Sequence, residues 1–318
     1  MRFHTFIFHV LQKIQEDMDK HVKITVCDVP KNNGIVLTGL TFTQDGINIS
    51  PTIYLDKFYQ EYEEGQSIEE IVGEIKKIYH QSKMEGDLNM DFFTNYENAK
   101  ENIVYKLINY EKNRELLEDV PHRKYLDFAI VYYYLVNREE FSNASILIHN
   151  KHMENWGVDE KELFAVAKNN TPGLLPAHFC GMMEVLKELT EEKDSFLDRI
   201  LEERCMSDAD EIKMLVEIHI RKDETGMYVL SNESRLFGAV AMLYEGMLKK
   251  CANQLNADLY ILPSSVHEVI VLADEGQIDK DKLEKMVREV NATQVEPEEF
   301  LSDFVYYFSR KTGKITRL

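Results

Sequence analysis

The chain has 318 residues, of which 44% are hydrophobic and 29% charged, and its formal net charge is −19. That composition can bury a core, and the length allows about two domains. A field this negative repels phosphate backbones, so nucleic-acid binding by charge neutralisation is not expected. No stretch approaches the ~18 consecutive apolar residues that a membrane-spanning helix needs.

The elements read in chain order as follows. Phe3, Phe6, Ile7, Val10, Leu11 and Ile14 recur at helical spacing and predict an amphipathic opening helix. Two β-branched runs then flank Lys31-Asn32-Asn33-Gly34, and Asn-Gly is a strong short-range hairpin signal. A second turn at Gln44-Asp45-Gly46 leads to a third strand, which Pro51 places at an edge or makes late to start. Ser67-x-x-Glu70 is a capping box ahead of the apolar face Ile68, Ile71, Val72, Ile75 and Tyr79.

IVYKLINY, LDFAIVYYYLV and SILIHN read as strands, and Asp159-x-x-Glu162 as a second capping box. Thr171-Pro172-Gly173 and Pro176 read as a loop. Residues 178–203 read as helix-like, then 207–220 again, with dense acid between them, and this acidic helical stretch is the candidate hinge or inter-domain spacer. MYVLSN and LFGAVAMLY read as two strands, GMLKKCANQL and DKLEKMVREV as helices, and the C-terminus as a hairpin turning at Lys311-Thr312-Gly313.

The expected class is therefore α+β. Antiparallel meanders and hairpins pack with capped amphipathic helices in two or three small subdomains, divided as 1–100, 101–225 and 226–318.

Chemistry is sparsely signalled. Cys27, Cys180, Cys205 and Cys251 form no C-x-x-C pair, which points to reduced thiols in the cytoplasm. The N-terminus lacks the apolar core and cleavage site of a signal peptide. There is no G-x-x-x-x-G-K-S/T, no G-x-G-x-x-G and no G-x-S-x-G, and no cofactor is expected. His149 and His152 are the best metal-like pair, but a site needs further converging ligands, so no metal is expected. Asp208-Ala209-Asp210-Glu211 lacks the spacing of a calcium loop.

The nearest approach to a site is Pro263-Ser264-Ser265-Val266-His267-Glu268, a polar gap between two apolar runs. Ser264, Ser265, His267 and Glu268 are the available nucleophile, base and acid types. Residues at this spacing on one strand point in parallel, however, and turn composition favours a hairpin tip. As a recognition surface the tip offers Ser264, Ser265 and His267, joined by Gln294 and Glu296 of the 293–297 loop.

The phrases NNGIVLTGLTF, NISPTIYLDKFYQEYEEGQSIEEIV, YLDFAIVYYYLV and MYVLSN resemble domain-of-unknown-function family 5688. DLYILPSSVHEVIVLAD with NATQVEPEEFLSD carries the likeness most specifically, and it runs from about residue 20 to the end. The family is typical of gut Clostridia and their relatives. The resemblance implies a cytoplasmic bacterial protein and brings no activity, cofactor or catalytic residue.

The expected function is a non-enzymatic binding or protein-interaction module engaging a protein or a small polar ligand. The first alternative is a hydrolase or metal-dependent enzyme centred on the 264–268 tip. It predicts His267 in a cleft within reach of an acid or serine, whereas a binding role predicts an exposed tip with no such network. The second alternative is an acidic immunity or mimic protein for a basic partner, which requires one continuous acidic face.

Overall fold

A computed structural model describes residues 1–19, 21–44, 50–82, 91–136, 145–182, 184–185, 226–263, 265–276 and 279–318. Asp45 and Gly46 of the second predicted turn, the acidic stretch 188–225 with Cys205, and Ser264 lie outside the described residues. The class is α+β, and the chain divides into two compact units, Met1–Asn95 and Tyr96–Leu318.

The first unit opens with helix α1 (Phe3–Asp17). Strands β1 (Val22–Pro30), β2 (Val36–Gln44) and β3 (Thr52–Tyr54) follow as an antiparallel meander in that order. The first turn forms because Asn33 and Gly34 adopt left-handed φ values of 62° and 69°, the conformation these two residue types tolerate best. β3 is an edge strand that starts directly after Pro51.

Helices α2 (Leu55–Glu63) and α3 (Ile68–Ser82) complete the unit. The capping box ahead of α3 is reciprocal: Glu70 N–H donates to Ser67 Oγ at 3.2 Å, and Ser67 N–H donates to Glu70 Oε2 at 3.0 Å. The helical apolar faces meet one face of the sheet in a core of Phe6, Val10, Ile14, Leu40, Phe42, Ile71 and Ile75, among others. Burying each such side chain contributes roughly 1.5–3 kcal/mol before entropy is counted.

The short helix α4 (Asp91–Thr94) closes the first unit, and α5 (Tyr96–Ala99) opens the second. A four-stranded antiparallel sheet follows. β4 (Ile103–Asn109) pairs with β6 (Phe128–Leu135), which also pairs with β5 (His122–Tyr125) and β7 (Ser145–Leu147). All seven β4 residues are buried because both faces are covered. Ile103, Tyr105 and Leu107 enter the main core, while Ile108 joins a smaller cluster with Leu117 of α6 (Arg114–Asp119). The same alternation places Tyr132 in the main core and Tyr133 on the opposite face.

α7 (Asn150–Trp156) and α8 (Glu160–Leu174) come next, with Asp159 accepting from Glu162 N–H as the α8 cap. Here the loop expected at Thr171-Pro172-Gly173 is corrected: these residues form the last turn of α8. Pro172 has no N–H to donate to the carbonyl four residues earlier, so α8 gives up one bond in its last turn, and the helix ends two residues later. Thr171 is fully buried, donating to Ala167 O at 2.6 Å and accepting from Tyr105 N–H at 3.1 Å.

β8 (Ala177–Gly181), β9 (Met227–Asn232), β10 (Leu259–Leu262), β11 (Val269–Ala273), β12 (Tyr306–Ser309) and β13 (Lys314–Arg317) form a six-stranded antiparallel sheet. Its order is β13-β12-β10-β11-β9-β8. The helix expected from residue 178 is corrected at its start, where Ala177–Gly181 pairs with β9 as a strand, and this pairing makes the 101–225 and 226–318 segments contribute to one compact unit.

One face of this sheet enters the main core with α9 (Met247–Leu255), through residues such as Leu259, Ile261, Val269 and Val271. Tyr260, Leu262 and Leu272 point the other way, against Leu283 and Val287 of α10 (Lys280–Gln294).

The strand expected over LFGAVAMLY is also corrected. Gly238–Leu243 is a 3-10 helix with Gly238 to Met242 buried. A fully buried apolar run carries no period, and the small residues at 238, 239 and 241 let it coil tightly inside the core. Among the described residues no helix is long and apolar enough to cross a membrane.

Candidate functional site

Among the described residues the polar gap between β10 and β11 is held inward, with Pro263, Ser265 and Val266 buried. Ser265 forms an antiparallel bridge with Phe300. Val266 N–H donates to Glu299 O at 2.8 Å, and Ser302 N–H donates to Pro263 O at 3.1 Å. On the other side, Ala239 N–H donates to Val266 O at 3.2 Å. Ser265 and Val266 are consequently buried.

The Ser265 hydroxyl accepts from the backbone N–H of His267 at 3.1 Å and of Glu268 at 3.3 Å, and donates to Glu268 Oε1 at 3.4 Å. It serves the turn. Serine activation needs the hydroxyl proton aimed at an imidazole nitrogen, and this proton faces a carboxylate instead.

His267 is the hub of the segment. Its Nδ1 donates to Arg235 O at 3.0 Å, and its Nε2 lies 3.4 Å from Glu299 Oε1. Phe237 N–H also points at Nδ1, at 3.4 Å, so it is the carboxylate at Nε2 that favours the imidazolium. The Glu299 hydrogen bond, resisted by burial, holds His267 above the ordinary histidine value, and the same bond holds Glu299 below the ordinary carboxylate value.

The ring stacks on Phe237 with centroids 6.2 Å apart and planes at 21°. Phe237 in turn clamps buried Lys106: the ammonium is 4.1 Å from the Phe237 centroid and 4.2 Å from that of Tyr133. A desolvated cation–π contact of this kind contributes about 2 kcal/mol. Arg235 and Phe237 both hold left-handed φ values, 53° and 56°, which non-glycine residues adopt at a cost. The stack Lys106–Phe237–His267–Glu299 thus links β4 to the β10–β11 connection.

A raised histidine stabilises the fold fully below its unfolded value and loses that contribution as pH rises through its folded value. A depressed glutamate stabilises above its unfolded value and loses the contribution as pH falls through its folded one. The pair is therefore most stabilising at about pH 4.3 to 6.5. With both side chains partly exposed, Glu299→Gln is expected to lower stability by only ~0.5–1 kcal/mol at pH 5.5. The difference should shrink by pH 8.5, as urea titrations at the two pH values would show. An equal loss at both would mean that charge plays no part.

The remaining candidates lie elsewhere or serve other ends. Gln294 is exposed at the end of α10, and Glu296 is exposed with its carbonyl accepting from Glu299 and Phe300 N–H. The structure brings Glu299, not these two, to His267. His149 Nδ1 contacts Asp119 Oδ2 at 2.7 Å, and His152 Nδ1 accepts from His149 N–H at 3.0 Å, so the histidine pair caps α7. Among the described residues no group of three or more His, Cys, Asp or Glu side chains could hold a metal ion.

The sequence reading missed a groove of about 610 Å3 in the second unit. Its walls come from β4, β5, β6, α8, the 3-10 helix, the start of α9 and the β12–β13 hairpin. Ile130, Phe164, Met242, Leu243, Phe308 and Ile315 make it apolar. Tyr105 and Tyr125 also line it. Among the described residues neither of their hydroxyls has a hydrogen-bond partner, although Tyr105 is only 2% exposed. Burial pushes Tyr105 up to about 12 and raises Tyr125, so both are hydrogen-bond donors at neutral pH. Tyr244 is different: its hydroxyl donates to Leu175 O at 2.9 Å.

Lys168, Lys249 and Lys314 stand at the rim with one carboxylate, Glu245, which lies 3.7 Å from Lys168. Nothing local in the sequence marks these lysines, since exposed lysine is ordinary surface.

The match to family models agrees with the likeness carried by the C-terminal phrases. The model for a family of unknown function, DUF5688, matches residues 3–310, and the chain belongs to that family. No curated protein and no solved structure matches it.

Proposed function

We propose that this chain is a non-enzymatic binding protein that takes a small molecule into the groove of its second unit. The observation that carries the reading is the groove itself. Its volume of about 610 Å3 falls in the range of small-molecule sites, and apolar walls with a few directed polar groups are the usual composition of such sites. The 263–268 connection is then architecture that braces the core beside the 3-10 helix. A bacterial, cytoplasmic setting suits Cys27, Cys180 and Cys251, which form no disulfide among the described residues, the last pushed up to about 11 by burial and hence unreactive.

The test is native mass spectrometry of the freshly purified full chain, with a thermal-shift screen of small apolar compounds, on wild type and Leu243→Trp. The expected result is bound small molecules in wild type that are lost in a variant whose unfolding midpoint is unchanged. Absence of binding in wild type, or identical binding in both, overturns the reading.

A hydrolase reading retains one observation in its favour, the His267–Glu299 pair. It predicts an esterase activity abolished by His267→Ala.

A further inference from the structure

Resting on the binding role just given, we infer that the ligand of the groove is an apolar-bodied monoanion of the carboxylate type, such as a medium-chain fatty acid or an aryl carboxylate. The walls decide the body. Ile130, Phe164, Leu243 and Phe308 offer no hydrogen bonds, so a sugar or nucleotide would leave its polar groups unpaired there.

The polar groups decide the head. Tyr105 and Tyr125 line the groove, their hydroxyls have no hydrogen-bond partner among the described residues, and both are protonated donors. Around them stand three lysines against one glutamate, and that glutamate is already paired with Lys168. Among the described residues Lys249 and Lys314 form no ion pair.

This local excess of positive charge stands out in a chain of net charge −19. The overall field repels anions, so an anion-binding groove needs its own cations, whereas a cationic or neutral ligand would gain nothing from three lysines. The beginning of α9 adds to the effect. Gly246 is its N-cap, no side chain caps it, and its first turn holds no acid, so the positive end of the helix dipole is uncompensated at the rim. No arginine lines the groove. The bidentate forks that favour phosphate are therefore missing, and the head is a single charge met by hydroxyl donors and point charges.

The experiment compares dodecanoate, 1-dodecanol and dodecylamine by titration calorimetry, below their micellar concentrations and at fixed ionic strength. The proteins are wild type, the Lys249→Gln/Lys314→Gln double variant and Tyr105→Phe, each checked for native circular dichroism. In wild type, dodecanoate is expected to bind about tenfold more tightly than dodecanol, a difference of about 1.4 kcal/mol, and dodecylamine more weakly than either. In the lysine double variant that preference should shrink to about threefold or less, with dodecanol unchanged. Tyr105→Phe should weaken dodecanoate selectively.

Equal affinity for dodecanoate and dodecanol in wild type, tighter binding of dodecylamine, or a preference untouched by the lysine changes would overturn the inference. The two readings fail separately. Dodecanol binding that Leu243→Trp abolishes keeps the groove as a binding site even where the head-group preference is absent. No binding of any of the three, with an empty small-molecule screen, removes both.

Discussion

Gly238→Ala is expected to destabilise the protein by about 3–5 kcal/mol, enough to abolish soluble expression of a marginally stable fold. A Cβ at this position would lie 2.0 Å from Ser231 Oγ, 2.3 Å from His267 O and 2.8 Å from Asn232 N. The serine hydroxyl can rotate away, but it then loses its 2.7 Å hydrogen bond to His267 O. The other two atoms are backbone and cannot rotate.

Asn232 is held by the β8–β9 ladder, and its side chain binds both the N–H and the carbonyl of Leu236. His267 is held by Ser265, Arg235 and Glu299. The methyl group must therefore push the 3-10 helix out of the core. Overpacking alone costs about 1–3 kcal/mol, and each buried hydrogen bond broken with it adds ~1 kcal/mol.

Gly73→Ala is the control. Nothing lies within 4 Å of its added Cβ on exposed α3, so a change between neutral and about 1 kcal/mol of stabilisation is expected. Urea unfolding of the two variants checks both. A Gly238→Ala protein within 1 kcal/mol of wild type would mean that the close approach is not kept in solution.

That contact also shows where sequence reading stops. Turns and caps are local chemistry, and they were legible: Asn33-Gly34, Ser67 with Glu70, Asp159 with Glu162, and Gly313 at a φ of 66°. The apolar run at Gly238–Leu243 was not, because residues buried on every side show no strand or helix period.

The 263–268 segment was half legible. Its turn composition was visible, but its inward course depends on Glu299, Phe300 and Ser302, more than 30 positions away. Gln294 and Glu296 are exposed, and the carboxylate that reaches His267 is Glu299. The groove was invisible for the same reason, since its walls come from segments between Tyr105 and Ile315 that meet only when two sheets pack.

The second large effect is expected at Asp127, a residue with no motif around it. Its carboxylate accepts from Ser302 Oγ at 2.8 Å and from the Tyr306 hydroxyl. Tyr306 is buried and Ser302 fully so. The network pins the β5–β6 turn to β12, and so joins the two sheets of the second unit through one anion. Burial and the bond to Asp127 raise Tyr306 far above the ordinary tyrosine range, so the phenol remains the donor.

Asp127→Ala leaves two buried hydroxyls to share one hydrogen bond, the 3.1 Å contact between Ser302 Oγ and Tyr306. A stranded buried donor costs about 1–3 kcal/mol, so a loss of about 2–4 kcal/mol is expected. Asp127→Asn, which keeps an acceptor, should lose about half of that.

The double variant separates the network from simple loss of volume. Removing a polar group whose partner is already gone is close to neutral. Tyr306→Phe should therefore destabilise wild type by ~1–2 kcal/mol and leave Asp127→Ala unchanged or slightly more stable. Strictly additive losses in urea titrations would show that carboxylate and phenol act independently, and the joint between the sheets would then rest on apolar packing of Phe128 against Tyr306, whose rings lie 5.2 Å apart.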